Sequence, residues 1–325
     1  MPRPSSQLIS LSETPFYHCV SRCVRRAFLC GTDAYSGQCY EHRRGWLEKQ
    51  LLFAADVFAI KICSYAIMSN HYHVVLHVRP DLAEEWSDLE VVKRWHRIFN
   101  GTLISTRFLN SEPLSSSEHD TLKPLILLWR ERLTNISWLM RVVNERIARR
   151  ANAEDDCTGS FWEGRFKSQA LLDAQALLSC MAYVDLNPVR AGLAKTPSQS
   201  KFTSCPKRIA QLNLSNKGPN CLAKFVGGSA DRIGIPYALG DYLELLDWTS
   251  KTIISRGEFA PSPSQKAFVL LNSINLEPNT WNILTTEFET RFSSWVGSEQ
   301  IVQSIYRRLS YQRLPSTKNH RILFQ

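Results

Sequence analysis

Ser69-Asn70-His71-Tyr72-His73-Val74-Val75-Leu76-His77-Val78 is a run of apolar and β-branched residues entered through a Ser-Asn turn, which is the pattern of a buried strand. Side chains alternate along a strand. Tyr72, Val74, Leu76 and Val78 therefore face one core, while His71, His73, Val75 and His77 share the opposite face. At ~3.3 Å rise per residue His71 and His73 stand about 7 Å apart along the backbone, so two neutral imidazoles can tilt toward one divalent ion. His77 lies about 13 Å beyond His73 by the same rise, too far for an easy third ligand. A His-x-His pair recurs by chance on many strands, so a metal site needs a further polar group and a nucleophile from elsewhere in the chain.

The residues before this strand set its surroundings. Phe16 to Arg22 reads as a first strand with His18, Val20 and Arg22 on one face. Arg25, Arg26, Arg43 and Arg44 follow, interleaved with Phe28, Tyr35, Tyr40 and Trp46. Such a mixture suits single-stranded nucleic acid, where cations hold phosphates and rings stack on bases, and it equally suits a solvated face beside core aromatics. A helix over Glu41–Asp56 carries Trp46, Leu47, Leu51 and Phe53 inward, and Val57 to Met68 reads as a second strand. Strand, helix and hairpin in that order predict an α+β fold, an antiparallel sheet with helices packed on it.

After Pro80 the pattern loosens into an insertion at about 80–135. One helix is expected over Leu82–Phe99, and a mobile loop at Ser111–Ser117. Ile136 to Arg150 is a stronger helix that exposes Arg141, Arg146, Arg149 and Arg150, as a phosphate track or as the polar side of an amphipathic surface helix. Gly159 to Lys167 then leads into an apolar strand at Ala170-Leu171-Leu172. Asp173 can cap the next helix, which runs through Leu177, Leu178, Met181 and Tyr183 until Pro188 disfavours its continuation. Tyr183 and Asn187, four apart, share one helical face, so a phenolic and an amide oxygen can converge. Gly192 allows a sharp exit.

With 325 residues and 44% hydrophobic content the chain can bury substantial cores. No stretch has the roughly 18 uninterrupted apolar residues of a membrane span, and the first residues carry no signal-like apolar run, so a cytoplasmic, nucleoid-associated location is the expectation. Nine cysteines, without a Cys-x-x-Cys pair, read as reduced core thiols rather than a zinc site. The net charge of +9 fits a polyanionic partner. It is concentrated late: residues 201–325 hold 15 basic and 9 acidic side chains, and Ser304–Gln325 contains Arg307, Arg308, Arg313, Lys318 and Arg321 with no acidic residue.

Taken together, His71-Tyr72-His73, the run Phe161-Trp162-Glu163-Gly164-Arg165-Phe166-Lys167, and Tyr183-Val184-Asp185-Leu186-Asn187-Pro188-Val189-Arg190-Ala191-Gly192-Leu193 resemble the single-tyrosine HUH transposases. The group includes IS200/IS605-type members and, closer in pattern, the REP-associated tyrosine transposases. The resemblance covers roughly residues 14–200. It implies a ferredoxin-like core, Mg2+ or Mn2+ held by His71 and His73, and Tyr183 as the nucleophile that forms a 5′-phosphotyrosine on single-stranded or hairpin DNA. Asn187 stands where family members often place a polar metal ligand, although some have Gln there. On this reading residues 1–203 are the transposase domain; 204–325 is expected to be a mainly helical, basic extension, and its excess of basic residues and basic terminal arm, rather than the resemblance, point to recognition of flanking DNA. The basic residues expected to meet DNA are Arg22, Arg25, Arg26, Arg146, Arg149, Arg150, Arg165, Lys167 and Arg190. Two other readings remain: a DNA-binding or regulatory protein on the same fold without turnover, and a two-histidine metallohydrolase using water.

Overall fold

A computed structural model describes residues 9–24, 29–32, 37–213, 221–227, 233–255, 261–309 and 316–324. Arg25 and Arg26, with Phe28, Tyr35 and Arg313, lie outside the described residues. The fold is α+β, with a five-stranded sheet and, among the described residues, fourteen helices.

Strand β1 (Phe16–Arg22) leads into helix α1 (His42–Val57), then the hairpin β2 (Ile60–Ile67) and β3 (His71–Val78). The insertion forms four helices, α2 (Pro80–Glu85), α3 (Asp88–His96), α4 (Leu103–Leu109) and α5 (Ser116–Arg132), followed by α6 (Ile136–Glu154) and β4 (Lys167–Leu171). The spatial order is β2-β3-β1-β4-β5, and the first four strands are antiparallel. This is the split βαβ order of a ferredoxin-like sheet, with β3 inserted between the parallel strands β1 and β2.

Alternation along β1 and β3 divides the molecule. Tyr17, Cys19, Tyr72, Val74 and Leu76 turn to one face and pack with Leu47 and Leu51 of α1 and Leu139, Met140 and Val143 of α6. The other face carries Val75 and the helix α7 (Ala174–Asp185), whose Leu177, Cys180, Met181 and Val184 are all buried. Asp173 caps α7, its Oδ1 accepting from the Ala176 amide at 2.8 Å. After Leu186 a single turn, α8 (Asn187–Arg190), carries Pro188, and Gly192 leaves it at φ 68°, a left-handed geometry that costs glycine little.

Residues beyond 203 continue onto the same face. Helices α9 (Ser204–Asn213), α10 (Leu239–Ile254), α11 (Gln265–Ser273) and α12 (Pro278–Arg291) share one core with α7, with Trp281 fully buried at its centre. The chain then adds β5 (Trp295–Val296) parallel to β4 before α13 (Glu299–Arg308) and α14 (Lys318–Leu323). The extension therefore supplies a strand to the sheet. Of its apolar residues, Tyr242, Leu245, Leu246, Leu270 and Leu271 are buried, whereas Phe268 is 43% exposed, because the α11 face that carries it turns to solvent.

Several boundaries differ from those read in the sequence. Leu82–Phe99 is two helices rather than one, since Ser87 turns extended and caps α3 through the Glu90 amide. Ser116 and Ser117 belong to α5, because Ser115 and Glu118 form a reciprocal capping box ahead of them. Arg43, read in a basic surface stretch, is fully buried, ion-paired with Glu154 and Asp155 and lying over the Tyr40 ring. It fastens α1 to the end of α6.

Candidate metal and nucleophile site

The site is built from the sheet outward. In the β1–β3 register Val20 pairs with His73 and Arg22 with His71, and in the β1–β4 register His18 pairs with Gln169 and Val20 with Lys167. Partners across an antiparallel pair point the same way. His18, Val20, Arg22, His71, His73, Gln169 and Lys167 therefore share one face, the one that α7 covers.

On that face the His71 and His73 rings lie 4.8 Å apart at 77°. His73 is fully buried, and its Nδ1 is 3.0 Å from Nε2 of His18. Its own Nε2 is buried with no hydrogen-bond partner. A buried polar nitrogen left alone costs roughly 1–3 kcal/mol, so this atom calls for an explanation. His71 is half-buried and its Nδ1 meets Asn70 Oδ1 at 2.6 Å. Burial, reinforced by the nearby charges of Arg22 and Arg190, holds His71 down to about 4, and burial also holds His73 and His18 below the ordinary histidine range. All three are neutral at pH 7, as nitrogen ligands must be. His77 is taken out of the group: it stacks on Phe16 at 4.3 Å.

Helix α7 lowers Tyr183 onto the histidines. Its ring is 5.8 Å from that of His73 and 6.4 Å from that of His18, edge-on to both. The Arg190 guanidinium lies 4.0 Å over the tyrosine ring, while its Nη1 donates to the carbonyls of Tyr183 (2.7 Å) and Thr285 (2.9 Å). Phe288 of α12 packs 5.8 Å from the same ring, leaving Tyr183 9% exposed. Burial raises the phenol above its ordinary range, and the Arg190 charge opposes that rise. Asn187, in the turn that follows α7, is also 9% exposed.

Beside the histidines is a cleft of about 150 Å³ lined by Val20, Arg22, Glu163, Gly164, Arg165, Lys167 and Glu289. Three of the predicted DNA-contacting cations thus meet at one place. The α6 arginines do not join them. They sit on the helix that packs against the opposite face of the sheet, with Arg149 paired to Glu145, Arg146 over Phe53, and Arg150 3.6 Å over Trp46. Arg190, expected on DNA, is instead turned inward as a strap over the tyrosine.

His18, Gln169 and the extension's Phe288 and Glu289 entered no sequence-based site. His18 was visible on the β1 face with Val20 and Arg22, but its neighbours depend on registers that join residues 55 and 151 positions apart.

Among the described residues no helix is long and apolar enough to cross a membrane. No family model matches the chain, and no curated protein sequence does. Among solved structures, the chain is similar to one of a REP-associated tyrosine transposase bound to a REP hairpin. That match has 12% identity, spans 68% of this chain and 92% of the other, and has a TM-score of 0.36, too loose to assign residues by correspondence.

Proposed function

We propose that this protein is a metal-dependent transposase that nicks and rejoins single-stranded DNA at hairpin-forming repeats, with Tyr183 as the nucleophile. The observation that carries the reading is the buried, unpartnered Nε2 of His73, on a ring 4.8 Å from that of His71 and 5.8 Å from that of Tyr183. A Mg2+ or Mn2+ ion held by His71 and His73, with Asn187 as a third donor, would polarise the scissile phosphate and offset charge on its oxygens. The residues fit such an ion in their chemistry. No cluster of three His, Cys, Asp or Glu side chains suited to a metal occurs among the described residues, so an ion at this pair would have to take its remaining ligands from Asn187, phosphate and water.

The chain's own groups carry the rest. Tyr183 Oη attacks phosphorus, forming the Oη–P bond as the P–O3′ bond breaks. The proton given up by the phenol is matched by one taken up at the departing 3′-oxygen. The guanidinium over the ring favours the phenolate, both as it forms and when it leaves in the rejoining step. Because the phosphotyrosine keeps the bond energy, a 3′-hydroxyl can displace the phenolate without ATP. Arg22, Arg165 and Lys167, which line one cleft, would hold a flanking phosphate there.

The test uses the full chain, Mn2+ and an end-labelled single strand that folds into a hairpin from repeats flanking the gene. A covalent adduct carrying the segment downstream of the nick is expected on a denaturing gel, and Tyr183→Phe is expected to abolish it. Cleavage that survives Tyr183→Phe points to water as nucleophile. Tight binding with no adduct favours a DNA-binding protein without turnover.

The cations divide in the same assay conditions. Each phosphate contact to single-stranded DNA contributes about 0.7 to the slope of log affinity against log salt. Removing Arg22 and Lys167 together is expected to flatten that slope by roughly 1.4. An Arg146→Ala, Arg149→Ala, Arg150→Ala triple variant is expected to leave the slope nearly unchanged. Equal slopes for both variants would remove the cleft from the DNA path.

A further inference from the structure

The side chain of His73 is joined to the C-terminal extension by a single line of hydrogen bonds. Phe292, the residue that ends α12, points its carbonyl at Nε2 of Gln169 at 2.8 Å. A carbonyl only accepts, so the end of Gln169 that faces it is the amide nitrogen, and Oε1 must face the other way. Oε1 lies 2.8 Å from Nδ1 of His18, which must therefore donate. His18 is fully buried and its two ring nitrogens bond only Gln169 and His73, neither of them acidic, so the ring is neutral. Its Nε2 is then an acceptor, and Nδ1 of His73 is the only donor that can fill the 3.0 Å bond between them. The two rings are 9° from parallel. The consequence is fixed at the far end: His73 carries its proton on Nδ1 and presents a bare lone pair at the buried Nε2.

We propose that His18 and Gln169 are positioning residues for the metal centre, and that the extension sets the tautomer of His73 through the Phe292 carbonyl. The inference rests on the metal reading of the preceding section and gives residues beyond 203 a task in it. Strand β5 pins the start of the relay to β4 through the bonds Ala170 N–H to Ser294 O and Leu172 N–H to Val296 O, both 2.8 Å. Without the relay the Nδ1–H tautomer loses its partner, and a proton on Nε2 would face the ion. Partners that orient a ligating histidine in this way are worth about 10–100-fold in metal affinity.

Two measurements on the full chain test this. In the metal-free natural protein, side-chain nitrogen NMR with labelled histidine, assigned by His73→Gln, is expected to show His73 as the Nδ1–H tautomer. A proton on Nε2 overturns the proposal whatever the variants do. Calorimetric titration with Mn2+ alone is then compared for the natural protein, Gln169→Leu and His18→Phe, with circular dichroism confirming that each is folded. The variants are expected to bind about 10–100-fold more weakly, and Gln169→Leu to lose the single tautomer. Folded variants that match the natural affinity within about twofold, against that 10–100-fold expectation, overturn the relay while leaving the metal centre standing. A natural protein that binds no Mn2+ overturns the metal reading itself and the relay's role with it.

Discussion

His73→Ala is expected to slow single-turnover nicking by about a thousandfold, since losing the ion's polarisation forfeits roughly 4 kcal/mol of transition-state stabilisation and each 1.36 kcal/mol is tenfold in rate. The loss should be in the chemical step. The His73 ring is fully buried beneath α7, so it does not offer a surface for hairpin binding, which on the proposed reading falls to the exposed cations around Arg165 and Lys167. Hairpin affinity in the variant should stay within a few fold. The substitution also strands the His18 Nε2 acceptor, at a cost of about 1–3 kcal/mol in stability, so a melting curve must accompany the rate. His71→Ala should resemble it with a smaller stability cost, because His71 is only half-buried and bonds its own neighbour Asn70. A His73→Ala protein that is folded and nicks within tenfold of the natural rate would remove the imidazole from the chemistry.

The second large effect concerns Asp185, two residues after Tyr183 and fully buried. Its carboxylate accepts from Ser204 Oγ and Tyr242 Oη, both at 2.7 Å, and so ties the tyrosine helix to α9 and α10 of the extension. Burial raises it to about 6 despite both hydroxyls and the nearby Arg208. A carboxyl whose folded value exceeds its ordinary 3.8 stabilises the fold most below that value, and the contribution is lost as pH rises toward about 6. The span is about two pH units, on the order of 3 kcal/mol. The buried histidines act in the opposite sense over the same window. His71 and His77, both held down to about 4, contribute stability that is lost as pH falls from 6.5 through that value. Comparing the natural protein with Asp185→Asn isolates the carboxyl, since the histidines are common to both. Urea unfolding at pH 4 and pH 7.5 is expected to show the variant gaining, relative to the natural protein, on the order of 3 kcal/mol from the lower to the higher pH. A constant difference between the two proteins would mean that Asp185 titrates normally.

What could be read along the chain is what short-range periodicity encodes. Period two placed His71 and His73 on one face of β3 with His77 beyond reach, and the i, i+4 spacing put Tyr183 and Asn187 on one side of a helix turn. The α+β class followed from the order of strand, helix and hairpin, and the capping of α7 by Asp173 from the residue type alone. The break between α2 and α3 escaped because Trp86, Leu89, Val92 and Trp95 keep helical spacing across it, while one extended serine decides the boundary.

Tertiary structure decided which polar groups meet. Periodicity gives each arginine a face of its own helix, but only the packing of α6 beneath the sheet separates Arg146, Arg149 and Arg150 from the histidines, and only the fold turns Arg190 inward onto Tyr183. Strand register brought His18 and Gln169 to His73, and a parallel strand from residues 295–296 brought the Phe292 carbonyl to Gln169. The sequence by itself determined that His71 and His73 share a strand face, that Tyr183 and Asn187 share a helical face, and which elements carry them, because those depend on neighbours two to four residues away. Register and helix packing determined the His18–Gln169 partners of His73 and the Phe288 cover over Tyr183, because these are set by contacts more than fifty residues apart, where local spacing carries no information.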